Sequence, residues 1–162
     1  MARRVFFSFH YERDVWRAGQ VRNSWVTKDR EEAGFWDAAA WEAVKKKGNP
    51  AVEKWIDDQL KGTSVTVVLI GAQTSTREYV GYEIKQSHGK GNGMLGIYIH
   101  SMKDSSGLTD TKGNNPFDNW QVERDGRNVL FSSIYPTYDW VTDEGRNKMA
   151  DWVETAAKKA SK

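Results

Sequence analysis

Glu83 is the side chain whose type and position most directly suggest chemistry. Apolar residues between positions 77 and 87 recur at helical spacing. At about 100° per residue, Glu83 falls between Tyr79 and Val80 on the helix wheel. A carboxylate at the margin of an apolar face is partly removed from water, which raises its pKa and suits it to acid–base work or to stabilising a cation. The alternative is a glutamate that reaches solvent or pairs with Lys85 or Arg77.

His10 is the second candidate, because it directly follows the apolar run 5–9. In an open parallel sheet, ligands bind beyond the carboxyl ends of the strands. If the run 5–9 is a strand, Phe9, His10 and Tyr11 lie at that edge of the sheet. A histidine at a strand end can also be purely structural, with its ring nitrogens satisfied by the protein.

Four apolar or aromatic runs have the composition of β-strands. The run 65–70, VTVVLI, is almost continuously apolar, as expected for a strand covered by helices on both faces. The predicted strands are 5–9, 65–70, 95–99 and 129–135, with a short edge strand over 34–37 that ends at Asp37.

Helical patterns separate these strands. Asn49 and Pro50 are typical of an N-cap and a first helical residue, and Gly62 is a suitable stop for that helix. Thr142 is predicted to cap the last helix. Two more helices are predicted over 13–26 and 77–87. The segment 101–127 is rich in Gly, Asn, Asp and Ser and is predicted to be a long loop.

Strands that alternate with helices pair in parallel through right-handed crossovers. The 162 residues fit one domain, so we predict a single α/β domain over residues 1–162 with a doubly wound sheet of about five strands. The ligand-binding edge of this sheet would bring together Phe9, His10, Asp37 and Glu83.

Composition excludes several classes of protein. The 24 Lys and Arg residues nearly balance 22 Asp and Glu, which gives no footprint for nucleic acid. The chain has no cysteine, so it has neither disulfides nor a thiol nucleophile. No apolar stretch approaches the roughly 20 residues that span a bilayer. We expect a cytoplasmic protein with no nucleic-acid or membrane partner.

Three further motifs do not support a site. The glycine-rich stretch 89–93 precedes a strand, so it lacks the strand-to-helix geometry of a phosphate loop. The spacing of the histidines at 10, 88 and 100 matches no common metal-ligand pattern, and we expect no metal. Asp14 and Asp37 resemble the acidic pair of response-regulator receivers, but the strand end at 70–72 has no Asp to accept a phosphoryl group.

The order of seven short motifs resembles the TIR-like family typified by ThsB of the Thoeris antiphage system. No one of these motifs is specific alone, but their order covers nearly the whole chain. They are VFFSFHY at 5–11, RNSW at 22–25, GFWD at 34–37, GTSVTVVLIG at 62–71, TREYVGYEI at 76–84, GIYIH at 96–100 and NNPF at 114–117.

This resemblance implies a flavodoxin-like, three-layer α/β/α fold and a set of site residues. Catalytic TIR domains carry a glutamate four residues after an aromatic on the helix that follows the third strand, which here corresponds to Glu83 after Tyr79. The resemblance also implies substrate-binding positions, namely Phe9, His10, Tyr11, Asp37, Trp41 and Tyr79.

The resemblance implies an enzyme of antiviral defence that cleaves the nicotinamide–ribose bond of NAD. Its product would be a cyclic ADP-ribose isomer that activates an effector protein. NAD would be the substrate, and no metal or further cofactor would be required. The implied partners are a phage-derived trigger and, through self-association that completes the pocket, further copies of the chain.

Two departures from the family pattern leave other functions open. Tyr79 stands where the family usually has Trp, and His10 stands where many TIR enzymes have Arg, which puts a phosphate contact in doubt. A non-catalytic interaction module would place Glu83 in solvent, remote from Phe9 and His10. A flavodoxin-like binder of nucleotide or flavin without turnover is the third hypothesis.

Overall fold

The computed structural model describes residues 3–26, 32–33 and 38–161, with the backbone alone at 26, 32–33 and 38–41. The described residues form seven strands. In chain order they are β1 Val5–Ser8, β2 Glu32–Ala33, β3 Val65–Ile70, β4 Gly93–Tyr98, β5 Gln121–Arg124, β6 Arg127–Leu130 and β7 Thr137–Asp139. Five of them build a parallel sheet in the order β2-β1-β3-β4-β7.

Helices cover both faces of this sheet. The helices are α1 Tyr11–Val26, α2 Ala38–Lys45, α3 Asn49–Leu60, α4 Glu78–Lys90 and α5 Gly145–Lys159. On one face, Phe7 and Val67 share a core with α1 and α5. On the other face, Phe6 packs with α3, and Val68 packs with α4. The predicted three-layer α/β/α fold with a five-stranded parallel sheet is therefore confirmed.

Strand β3 is the centre of the sheet and is buried along its whole length. The register sets Ser8, the last residue of β1, opposite Val68 of β3. Helix α4 follows β3 in the chain and contacts both β3 and β1. This arrangement brings one face of α4 to the carboxyl end of β1, where the sequence had predicted a site.

The predicted strand over 129–135 is wrong. Arg127–Leu130 instead pairs in antiparallel fashion with Gln121–Arg124, and the central sheet is completed by Thr137–Asp139. Asp125 and Gly126 both take positive φ angles, of 52° and 76°, which makes the tight turn of this hairpin. An Asp-Gly pair is a strong turn signal for a hairpin, and here it outweighs the strand composition of 129–135.

Two predicted helix caps are also wrong. Helix α3 includes Asn49, whose side chain instead accepts a hydrogen bond from the hydroxyl of Tyr79. The last helix begins only at Gly145, because the backbone N–H of Thr142 donates to Asp139 in a turn that precedes it. The predicted stop at Gly62 is confirmed, since α3 ends at Leu60 and Gly62 takes a φ of +79°.

The remaining predicted elements differ in outcome. The helix predicted over 13–26 is confirmed and begins earlier, at Tyr11, and the helix predicted over 77–87 corresponds to α4. The prediction of a loop throughout 101–127 is wrong in its second half, which contains a 3-10 turn at Pro116–Asn119 and strand β5. The edge strand predicted over 34–37 lies outside the described residues. No described helix is long and apolar enough to cross a membrane.

Candidate active site

Glu83 lies inside the protein, on the face of α4 that packs against the sheet. Its neighbours on the helix, Val80 and Ile84, are core residues, and Glu83 itself is 2% exposed. The hydroxyl of Ser8 at the end of β1 donates a hydrogen bond to Oε1 of Glu83 over 2.7 Å. Among the described residues, no basic side chain forms an ion pair with this carboxylate. Both sequence alternatives, exposure to solvent and pairing with Lys85 or Arg77, are therefore excluded.

Burial raises the pKa of Glu83 to about 8, and the hydrogen bond from Ser8 offsets only part of this effect. The carboxyl group is thus mostly protonated at neutral pH while the site is empty. A positive charge placed next to it would favour the ionised form, because an opposite charge nearby lowers the pKa of an acid. The site can therefore respond to a cation by releasing a proton.

Glu83 lines a narrow cavity at the carboxyl edge of the sheet. The cavity has a volume of about 20 Å3, which is close to the room that a single water molecule needs. Its described lining is mainly aromatic and charged, namely Phe9, His10, Tyr11, Glu12, Arg77, Tyr79, Val80 and Glu83. The structure thus brings together five of the seven residues predicted for the site.

The other two predicted residues cannot be placed in this cavity. Asp37 lies outside the described residues. Trp41 belongs to helix α2, but its side chain is not among those described. Their roles remain predictions from the family resemblance.

His10 is buried, with 6% of its surface exposed, and its ring forms one wall of the cavity. Its Nδ1 accepts a long hydrogen bond, of 3.4 Å, from the backbone N–H of Arg13. Burial and the positive charge of Arg77 lower the pKa of His10 below its ordinary value. A neutral imidazole at this position cannot substitute for the cationic arginine of many TIR enzymes.

Tyr79 lines the cavity, and its hydroxyl donates a hydrogen bond to the side chain of Asn49, which is not among the described lining residues. Phe9 and Tyr11, from the end of β1 and the start of α1, approach each other with ring centroids 6.1 Å apart. Three aromatic side chains from two parts of the chain thus surround the carboxylate. Such surfaces suit the flat rings and sugar faces of a nucleotide.

Ser8 and Arg77 are site residues that the sequence had not indicated as such. Ser8 is one residue of an apolar strand, and nothing in its spacing shows that it contacts a helix 75 positions away. Arg77 precedes α4 and lines the cavity beside His10. Its guanidinium is the described cation at the site that could bind a phosphate, and exposed arginines are too common to be singled out by type alone.

Asp14 is a second buried carboxylate near this edge, with 1% of its surface exposed. It lies so close to the end of β3 that a Cβ atom on Gly71 would fall 2.2 Å from its Oδ2. The hydroxyl of Thr74 donates to Oδ2 over 3.4 Å, while Oδ1 has no hydrogen-bond partner among the described residues. Burial raises the pKa of Asp14 to about 6, and the charge of Arg17 offsets part of this effect.

Arg17 joins helix α1 to the segment that follows β4. It is 5% exposed, and its guanidinium donates to the backbone oxygens of Met102 and Leu108, each over 2.8 Å. Its Nη1 also lies 3.7 Å from a carboxylate oxygen of Asp110, which Arg13 binds with both Nε and Nη2. Two arginines of α1 thus hold the segment 102–110 over the carboxyl edge of the sheet.

The site offers no metal centre in the part of the chain that is described, where no group of three or more His, Asp or Glu side chains could hold an ion. The chemistry available there is that of a buried acid, its serine donor, an arginine and several aromatic rings.

Comparison with known proteins identifies the family of the chain. Residues 6–104 match the family model described as Thoeris protein ThsB, TIR-like domain. The chain belongs to the ThsB TIR-like family. A protein of Bacillus cereus (strain MSX-D12) named "Putative cyclic ADP-D-ribose synthase ThsB1" is 40% identical over 191 residues, which cover 94% of this chain and all of that protein.

The ThsB-like region contains every described residue that lines the cavity, from Phe9 to Glu83. The burial of Glu83 beside Phe9 and His10 is also opposite to what a non-catalytic module predicts. The family resemblance inferred from motif order is thus confirmed.

Proposed function

We propose that this chain breaks the nicotinamide–ribose bond of NAD and closes the remaining ADP-ribose into a cyclic product. The observation that carries this proposal is a buried, raised-pKa carboxyl group, Glu83, on the wall of an aromatic cavity. The name of the Bacillus cereus relative supports the same reaction class. NAD is then the substrate, and no further cofactor is needed.

Bond cleavage leaves the bonding electron pair on nicotinamide, and the ribose carbon becomes an oxocarbenium-like cation. Glu83 is positioned to stabilise this cation, because a carboxylate in a water-poor site interacts strongly with developing positive charge. The positive charge of bound NAD lowers the pKa of Glu83 and favours its ionised form. Attack by another atom of the same ADP-ribose then forms the ring and releases one proton overall.

The other lining residues have distinct proposed roles. Phe9 and Tyr79 offer ring faces to nicotinamide or ribose, and Tyr11 extends this surface. Arg77 binds the diphosphate, which supplies the cation that His10 cannot provide while its imidazole is neutral. Ser8 holds Oε1 of Glu83 in place through its 2.7 Å hydrogen bond.

The cavity must widen before it can hold NAD. A volume of about 20 Å3 has room for about one water molecule, whereas sites for drug-sized ligands measure roughly 300 to 1,000 Å3. We therefore propose that the enzyme has a closed resting state and that a phage-derived trigger or self-association favours an open one. The cyclic product would carry the signal to an effector protein in the cytoplasm.

The test is NAD turnover by the purified chain, with and without lysate of phage-infected cells, followed by mass spectrometry of the products. Glu83→Gln is expected to lower turnover by about 100-fold or more, as for the loss of an acid–base or charge-stabilising group. Glu78→Gln is the matched control, since Glu78 lies exposed in the first turn of the same helix. Equal turnover by Glu83→Gln and the wild type would refute the role of Glu83.

A further inference from the structure

A second cavity lies at the opposite edge of the sheet from Glu83. It measures about 580 Å3, within the range of ligand sites. Its walls are the end of α4, the first residues of β4, the segment 132–136 before β7, and the last turns of α5. Gly93 begins β4 here, and a Cβ atom at this position would meet the backbone oxygen of Ala156 at 2.4 Å. Strand β4 and helix α5 are thus closely packed against each other at one wall of the cavity.

The charged side chains that line this cavity are all positive. Arg124 and Lys159 line it, and none of the described lining residues is acidic. The ammonium group of Lys159 donates to the backbone oxygen of Ile134 over 3.0 Å, which leaves two of its three N–H donors for other groups. Within the described chain, no carboxylate forms an ion pair with Arg124 or Lys159. The cavity is therefore suited to an anion.

Aromatic side chains form another part of the wall. Tyr138 of β7 and Trp152 of α5 are stacked, with ring centroids 4.1 Å apart and planes 4° from parallel. Tyr135 and His88 lie nearby and meet edge to face. The stacked faces of Tyr138 and Trp152 cover each other, and Trp152 is buried. The half-buried Tyr135 and Tyr138 are therefore the rings against which a flat ring of a ligand can pack.

The partial charges at the helix ends would orient a ligand in this cavity. Both α4 and α5 end at this cavity, and the C-terminus of a helix carries a partial negative charge. An anionic group is therefore disfavoured beside the helix ends and favoured beside Arg124 on the hairpin and the tip of Lys159. The uncharged ring of the ligand would occupy the aromatic wall.

We propose that this cavity is a second ligand site, which binds a small anion that carries a flat ring, of the size of a nucleoside monophosphate. The site lies apart from the Glu83 cavity and shares no described lining residue with it. Ligand binding there does not depend on catalysis at Glu83.

Binding of AMP, adenosine and inorganic phosphate to the purified full chain tests this proposal by calorimetry. AMP is expected to bind with a dissociation constant of about 1 mM or tighter, and more tightly than either fragment. Arg124→Gln and Lys159→Gln should each weaken AMP binding by about tenfold, because each removes a charge-assisted contact. Ser133→Trp, an exposed substitution at the cavity wall, should block binding without removing a charge.

Matched controls come from the same elements. Arg127→Gln on the hairpin and Lys158→Gln on α5 alter exposed cations outside the cavity, and each should leave AMP binding within about twofold. Glu83→Gln should also leave it unchanged. Absence of AMP binding at several times 1 mM, equal binding by all charge variants, or loss of binding in Glu83→Gln would overturn the proposal. Equal affinity for phosphate and AMP would overturn the assignment of a ring-bearing ligand.

Discussion

Glu83 and Asp14 are two buried acids near one edge of the same sheet, and their surroundings differ. Glu83 borders a cavity and has the Ser8 hydroxyl as its hydrogen-bond donor. Asp14 lies against the backbone at Gly71 and near the cations of Arg13 and Arg17. Burial raises the pKa of both, to about 8 for Glu83 and about 6 for Asp14.

The difference is the reason that Glu83, and not Asp14, is our candidate for the catalytic acid. Nearby cations offset part of the cost of burying Asp14, and this residue does not line the Glu83 cavity. No described cation offsets the burial of Glu83, whose only described compensation is the hydrogen bond from Ser8, and this acid does line the cavity. A strongly perturbed pKa at a cavity is a better indicator of function than burial alone.

Removal of Arg17 should have the largest effect on stability. Arg17→Met would leave the backbone oxygens of Met102 and Leu108 without their donor and would remove the stronger of the two positive charges that offset the burial of Asp14. We expect a loss of about 3 to 5 kcal/mol in the free energy of unfolding, measured by urea denaturation at pH 7. Arg13→Met is the control, because this exposed arginine should contribute no more than about 1 kcal/mol. A loss below 1 kcal/mol in Arg17→Met would contradict a structural role for Arg17.

Glu83→Gln should stabilise the protein at alkaline pH. The pKa of Glu83 is about 8 in the folded protein against an ordinary value of 4.5, so the folded state binds this proton more tightly than the unfolded state. Stability from this group is present below pH 4.5 and is lost as the pH rises to 8. The variant should therefore exceed the wild type at pH 8 by about 4 kcal/mol, measured by denaturation between pH 4 and 9. Parallel pH curves for the two proteins would contradict the assignment.

Asp14→Asn should remove a similar pH dependence of stability, which extends over a lower and narrower pH range. The folded-state pKa of about 6 lies above the ordinary value of 3.8, so the wild type loses stability between about pH 4 and 6 and little beyond. The variant is expected to gain about 3 kcal/mol above pH 6 in the same denaturation series. Its NAD turnover should remain near that of the wild type. A loss comparable with that of Glu83→Gln would place Asp14 in the reaction.

Ser8→Ala should have the smallest effect, seen in the pH dependence of kcat/KM. Turnover of the wild type should rise with pH toward the pKa of about 8, as Glu83 ionises in the free enzyme. The Ser8 hydroxyl lowers that pKa, so its loss should move the rise to higher pH by about one unit, equivalent to about 1 kcal/mol. Ser64→Ala, at a serine that lies before β3, is the control. An unchanged profile in Ser8→Ala would show that the hydrogen bond does not tune Glu83.

Much of the fold could be predicted because local pattern and tertiary packing agree. The almost continuously apolar run 65–70 has the pattern of a strand covered on both faces, and the structure confirms it. Helical spacing placed Glu83 at the margin of the apolar face but left exposure to solvent or pairing with Lys85 or Arg77 open. The last two strands were harder to predict. The run 129–135 has strand composition, but the Asp125-Gly126 turn places its first two residues in a hairpin.

The candidate site could be predicted only in part, because its energetics depend on contacts between distant positions. The hydrogen bond from Ser8 to Glu83 and the close approach of Asp14 to Gly71 arise from strand register and helix placement. Neither leaves a signal in local spacing. The cavity at Arg124 and Lys159 joins a hairpin to the last helix, and residue type alone did not indicate it.

The closed resting state that we propose from the narrow Glu83 cavity would set how much NAD this protein consumes at rest. If only about one molecule in a hundred were open at a given time, the apparent affinity for substrate would fall by about a hundredfold. A cell could then hold a stock of the enzyme with little background drain on its dinucleotide pool. The strength of the response would depend on how far an activator shifts the open fraction, more than on how fast each open molecule works.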